Sequence, residues 1–498
     1  MRTWPNFRLP YAALVLAIIF LSLITAATTS AHAYIVRTSP AADATIQTPP
    51  AAIDIWFTEP IQAPPHAIVV TGPSGNQLQQ GQAKVSSSDS TELTVPIKSG
   101  ANGTYTVEWH AISADTHPVG GTYQFSVGAP SATPVKASNG SAGSTSDGTT
   151  AFAAFSRWLL LIGLMAIVGP LAYLVVVLGD TTDPPIERRL WKMVLVGAII
   201  AVVAAPVMFI AQAEGVAGSI GGAFNGSLLR DLLTGIYGQR WIARTVLSLL
   251  ILGLVIWRLL YSHRPGWIVP LRWRPRFWPV AGLILAAALM VFTSLNGHAA
   301  TTKPVWLSVL FDWLHLGAAA VWIGGLVAFV VAILPRLKCR SASESVCLLG
   351  RVVPRFSTVA LVCVEVLIVT GLYATWAHVG GTALLTSTGY GKTLLVKLGL
   401  VAIVLGFAAV NLLVTRPKLV RAGSDEPDGP DAVEVVRRFR RLTSVEAFLG
   451  IVILAVVGVL TSLAPAETPP TIAAATPPAP PPLTLAHNAG SNLVVLSL

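Results

Sequence analysis

The sequence predicts two parts of different class: a small all-β sandwich of Greek-key or immunoglobulin-like kind, then an all-α polytopic membrane domain of about eight helices. Three observations predict it. Of 498 residues, 53% are hydrophobic and only 11% charged, with a mean hydropathy of +0.67, too apolar for a soluble chain of this size. Residues 32–130 are instead polar and turn-rich, with stretches whose apolar side chains fall at every second position. From residue 153 onward, eight apolar runs are each long enough to cross a bilayer.

Taken in order, residues 1–31 carry a basic start (Arg2, Arg8), the apolar core "YAALVLAIIFLSLITAA" and a small-residue end. That is the pattern of a secretory signal peptide. In residues 32–130, "AAIDIWF" puts Ile53, Ile55 and Phe57 on one face, and "TYTVEWHA" does the same with Tyr105, Val107 and Trp109. Period-two alternation between Pro- and Gly-rich turns reads as the strands of a sandwich. Residues 131–152, which include "SATPVKASNGSAGSTSDGTT", read as a flexible linker. The membrane domain covers 153–465, with spans at 153–179, 191–213, 241–261, 278–297, 306–334, 357–377, 394–415 and 443–463. The tail, 466–498, is rich in Pro and Ala and faces the extracytoplasmic side. It ends in "NLVVLSL", which reads equally as a strand or as plain tail.

Charge sets the topology. The loops 180–192, 257–276, 335–356 and 416–442 hold 3, 5, 5 and 7 Lys and Arg. The intervening loops hold four in all, and the tail after 463 none. Basic loops stay in the cytoplasm, so the β-domain and the C-terminus face outward across the plasma (inner) membrane. The formal charge of +10 is thus placed to anchor the chain in the lipid bilayer, whereas residues 32–130 carry −4. Nucleic acid is excluded as a partner on this placement. No G-x-x-x-x-G-K-[ST] stretch is present, so no nucleotide is expected to drive the protein. Cys339, Cys347 and Cys363 lie outside the β-domain at spacings that match no metal or redox pair.

The chemistry begins at "TTSAHAYIVRTSP". Two small-residue cuts are available there, and cleavage after Ala31 leaves His32 as the first residue. A leading histidine chelates one metal through its α-amine and Nδ1 together. Adding Asp115 and His117, two apart in "SADTHPVGG" and hence on the same side of an extended segment, gives a mixed N/O set. Such a set in tetragonal geometry suits Cu(II). Glu59, in "WFTEP", is a weaker candidate. Each residue alone is unremarkable; their combination gives the reading its content.

The stretches "HAYIVRTSPAADATIQTPPAAIDIWFTEPI" and "GTYTVEWHAISADTHPVGGTYQFSV" resemble the CopC family of exported copper-binding domains. The resemblance implies Cu(II) ligation by His32, through amine and side chain, with Asp115 and His117, and Glu59 as a lesser or outer ligand. Thr116 stands where the family often has Gly. Some members add a Met-rich Cu(I) site, but Met1, Met165, Met193, Met208 and Met290 all lie outside 32–130, so a single Cu(II) site is expected. His66 and His110 fall outside the motif and are expected to be surface or packing residues.

Ionisable groups within spans are costly and are functional candidates. They are Arg244, His298 in "SLNGHAA", Asp312 and His315 in "LFDWLHLGAAAVWIGG", Glu365 and Glu446. Asp312 and His315 are i,i+3 and share a helix face. Gly324 and Gly325 suit close helix packing. The pieces "GQRWIARTVL", "NGHAA", "DWLHLGAAAVWIGGL", "RFSTVAL", "TGYGKTLLVKLGLV" and "SVEAFLGIVILAVVGVLTSLAPA" resemble the CopD type of copper-resistance membrane protein. That resemblance implies copper transfer across the inner membrane, read as import, with extracytoplasmic copper chaperones among its partners. His298, Asp312 and His315 are the expected transport relay. A tether of about 20 flexible residues holds the loaded domain at roughly mM effective concentration above the membrane part. No enzyme activity is expected. The competing readings are copper sensing or buffering without transport, a copper-dependent oxidative enzyme, and a haem electron carrier using His298, His315 and His378.

Overall fold

In the computed structural model, the described residues are 33–64, 66–113, 118–131, 147–179, 183–261, 274–337, 342–415, 417–418, 430–463, 465–466, 484–489 and 492–497. The expected signal segment, His32, Asp115 and His117 lie outside them. The described residues divide into a β unit and a helical unit.

The β unit is a two-sheet sandwich. Its strands are β1 (Ile35–Ser39), β2 (Thr45–Ile46), β3 (Ala52–Phe57), β4 (Ile61–Gln62), β5 (Ile68–Thr71), β6 (Lys84–Val85), β7 (Glu92–Pro96), β8 (Gly103–Ser113) and β9 (Pro118–Val127). One sheet runs β1-β3-β7-β6 and the other β2-β9-β8-β4, with β5 also paired to β8. The expected alternation is present: Ile53, Ile55 and Phe57 are buried, as are Tyr105, Val107 and Trp109. Burying side chains of this size contributes about 1.5–3 kcal/mol each. Tyr105 stacks on Phe125 of the neighbouring strand at 4.9 Å, and the Phe57 ring meets Trp109 of the other sheet edge-on at 5.3 Å, tying the two inner faces together. Outside, the Arg37 guanidinium lies 3.7 Å over the Trp56 ring. His66 is exposed in a turn at φ 58°, and His110 Nε2 lies 3.3 Å from Glu108, so both are surface residues.

Among the described residues, eight helices are long and apolar enough to cross a membrane. They are α1 (Ala151–Leu178), α2 (Pro184–Ala217), α3 (Ile236–Leu260), α4 (Arg276–Ser294), α5 (Val305–Leu337), α6 (Glu344–His378), α7 (Gly389–Thr415) and α8 (Val433–Leu460). Several start well before the apolar run that announces them. The run beginning at 357 belongs to a helix already formed by residue 344, which continues through "ESVCLLGRVVPRF" although Pro354 within it has no backbone N–H to donate. Helix also begins at Asp147, inside the segment expected to be linker.

The centre of the unit is α1 against α5. A Cβ placed on Gly169 would overlap the Gly324 backbone, and one on Gly324 would overlap the Met165 carbonyl. The two backbones touch because neither glycine has a side chain, the packing expected of small residues in membrane helices. One end of the unit gathers the basic positions. Arg355 donates to the Val177 and Leu178 carbonyls at 3.0 and 3.3 Å, where α1 ends in a π-helical turn. At the same end Arg258 pairs with Glu187 at 2.8 Å and Arg336 approaches Asp183 at 3.8 Å. Among the described residues Cys347 and Cys363 are free thiols. In the tail, "NLVVLSL" supplies a strand, β11 (Asn492–Ser497), paired antiparallel with β10 (Thr484–Ala489).

Candidate metal centre

In the β unit, Glu59 is buried and its segment is braced from two sides. The Phe57 amide donates to the Thr91 carbonyl at 2.9 Å and the Ile61 amide to the Ser90 carbonyl at 3.0 Å, which brackets Glu59 between two fixed points. The turn that accepts these bonds is itself closed by Asp89. Its carboxylate accepts from the Thr91 hydroxyl at 2.7 Å and the Thr91 amide at 2.9 Å, bonds that hold its pKa below the usual carboxylate range. On the other side, the Tyr34 amide donates to the Thr58 hydroxyl at 3.1 Å, and the Thr58 amide to the Tyr34 carbonyl at 2.9 Å. The chain therefore enters the β unit against the residue that precedes Glu59. Asp115 and His117 belong to the connection between β8 and β9, outside the described residues.

In the helical unit, Asp312 and His315 stand on α5, with Lys397 of α7 in electrostatic reach of both. Asp312 is exposed, while His315 and Lys397 are half-buried. His315 Nδ1 lies 2.8 Å from the Thr370 hydroxyl on α6. That hydroxyl has one proton, and the Val366 carbonyl sits 2.6 Å away to receive it. The Thr370 oxygen is then the acceptor for His315, so Nδ1 carries the imidazole proton and Nε2 keeps its lone pair. An orienting bond to one ring nitrogen is what a metal-binding histidine requires. Two turns before His315 on α5 and one turn after Thr370 on α6, the Ser308 and Tyr373 hydroxyls join the helices again, at 2.6 Å.

His298 lies elsewhere. It is buried in a 3-10 turn, His298–Ala300, between α4 and α5, and its ring packs against His378 at the end of α6. Of the other intramembrane candidates, Glu446 is buried and accepts from the Asn411 amide, Arg244 is buried on α3, and Glu365 is exposed on α6. Among the described residues no three His, Cys, Asp or Glu side chains come together as a metal cluster.

Lys397, Thr370 and the pairing of His298 with His378 are absent from the sequence reading. Lys397 was visible there: it is a cation inside the apolar run 394–415, and the rule that flagged Asp312 flags it too. Thr370 carried no such signal, because a single Thr in an apolar helix ordinarily bonds to its own helix backbone.

Three family models match the chain. The CopC domain covers residues 35–128, the copper resistance protein D-like N-terminal domain 148–306, and copper resistance protein D 350–460. Copper resistance protein C of Xanthomonas campestris pv. juglandis is 34% identical over 110 residues, spanning 21% of this chain and 86% of that protein. The chain belongs to the CopC/CopD copper-resistance family. In this CopC/CopD chain the strands carry the CopC part and the helices the CopD part. The copper transport protein CutJ of Bacillus subtilis (strain 168) is 29% identical over 456 residues, spanning 89% of this chain and 76% of that protein. Protein YobA of Escherichia coli (strain K12) is 37% identical over 113 residues, spanning 22% of this chain and 90% of that protein.

Proposed function

We propose that this chain binds Cu(II) outside the plasma membrane and passes it inward through its own helical unit, as an importer serving copper homeostasis and resistance, and that it is not an enzyme. The observation that carries the reading is the union of a CopC part and a CopD part in one chain, along which a copper transport protein aligns almost throughout. His32 supplies its α-amine and imidazole, Asp115 and His117 complete the ligand set, and Glu59 acts as a weaker or outer ligand. Support comes from the Tyr34–Thr58 bonds, which fix the start of the β unit beside Glu59, one covalent step after Ala33 and two after His32. Processing after Ala31 creates the amine ligand, so export itself completes the site.

Beyond the β unit, Asp312 and His315 with His298 form the relay. Neutral His315, presenting Nε2, takes the ion, and Asp312 offsets its charge. Lys397 competes electrostatically for Asp312, so an arriving cation must displace an existing attraction, which keeps the stop transient. The clustering of Arg258, Arg336 and Arg355 at one end of the helical unit supports the orientation, basic end to the cytoplasm. Extracytoplasmic copper chaperones are the donors this arrangement suits.

The test is Cu(II) titration, read by EPR, of the full chain starting at His32 against one starting at Tyr34. The reading expects one tight equivalent in the first and its loss in the second. Equal affinity in the two sinks the ligand set.

A further inference from the structure

His298 and His378 are eighty positions apart in the chain and belong to different elements, yet their ring centres lie 5.8 Å apart with the planes tilted by 59°. Both positions are set by backbone. The His298 carbonyl accepts from the Thr301 hydroxyl at 2.9 Å, the Thr302 hydroxyl at 3.2 Å and the Thr301 amide at 3.2 Å. The His378 carbonyl accepts the Ala466 amide at 3.1 Å, and the Ala466 carbonyl in turn accepts the Gly380 amide at 2.9 Å. Ala466 is fully buried in a small apolar cluster with Tyr390, Leu394 and Leu460. The end of α6 is thereby stitched to the chain that follows α8.

Two imidazoles that share one metal ion, each through a bond of about 2.0 Å, hold their ring centres about 5 to 6 Å apart, from tetrahedral to nearly linear bond angles. The observed separation of 5.8 Å falls within that range. Imidazole nitrogen is a good donor to copper. Among the described residues no third His, Cys, Asp or Glu makes the group a three-ligand cluster. Two protein ligands leave the ion exchangeable, which suits a station that must both load and release. The pair also lies at the end of the helices opposite Arg355 and the Arg258–Glu187 bridge, since α5 and α6 each run from one end to the other between these points.

We propose that His298 and His378 together form a two-imidazole copper site, the station at which copper first meets the helical unit. The identity of the ion as cargo rests on the import reading above; the site itself rests on the ring geometry. It also changes the relay: His298 acts with His378, one step before Asp312 and His315.

The test uses the full chain in detergent, dialysed to equilibrium against copper sulfate and, separately, against copper with ascorbate. Copper per chain is counted for wild type, His298→Asn, His378→Asn and the double variant, with monodispersity on size exclusion as the folding control. Asn keeps a polar group at each position. The proposal expects each single variant to lose the same one equivalent and the double to lose no more, the non-additivity of one shared site. Unchanged stoichiometry in His378→Asn, or losses that add in the double, overturns it. A Soret band that disappears in the variants also overturns it, in favour of haem iron. Copper uptake by cells is scored alongside. Normal stoichiometry with intact uptake rejects this site alone, whereas a lost equivalent without any uptake in wild type rejects import and leaves the site standing.

Discussion

His315 on α5 donates its Nδ1 proton to the hydroxyl of Thr370 on α6, across 2.8 Å, because that hydroxyl has already committed its own proton to the Val366 carbonyl. Two helices thus fix one tautomer of one imidazole inside the membrane unit and leave Nε2 its lone pair.

Thr370→Val keeps the shape of the side chain and removes the acceptor. Loss of such an orienting partner typically costs about 10- to 100-fold in metal affinity or activity. The expected result is copper uptake reduced by about tenfold with the helical content intact by circular dichroism, and recovery in Thr370→Ser. Uptake equal to wild type in Thr370→Val removes His315 from the path.

Thr58→Val deletes the hydroxyl that accepts the Tyr34 amide. A bond of this kind is worth about 1 kcal/mol. Stability of the β unit should fall by that order, and Cu(II) affinity should fall as well, since the segment following His32 is no longer held beside Glu59. Calorimetric titration of the full chain reads the second effect. A loss of stability with unchanged affinity separates the anchor from the metal site.

Gly169→Ala places a methyl group into the Gly324 backbone, where no side chain can move aside. Overpacking of a core costs about 1–3 kcal/mol. Thermal unfolding in detergent should shift down, and Gly324→Ala should do the same. The two together should cost less than their sum, because the first methyl already parts the helices. Strict additivity shows that the glycines do not share one contact.

Much of this was legible in the chain. Ile53, Ile55 and Phe57 alternate because one face of β3 is buried, and the same alternation in "TYTVEWHA" marks β8. Eight apolar runs correspond to eight helices because a bilayer demands that length of hydrocarbon contact. Gly324 was readable as a packing glycine, but its partner Gly169 was not, since no local pattern names the helix it will touch. The same limit hides His298 from His378. Each sits at the end of an element, and the two rings meet only once those elements are packed together. Of the four residues expected to bind Cu(II), Glu59 alone lies among the described residues, buried and braced as a fixed group should be.

The central claim is that copper moves inward through this chain. The direct measurement is the copper content of cells grown under copper limitation, with and without the chain, after the surface-bound metal is stripped by a chelator. The account predicts less internal copper in cells that lack the chain, and the same deficit in cells whose only copy carries His315→Ala. Equal internal copper with and without the chain contradicts import, and higher internal copper without it reverses the direction of transport.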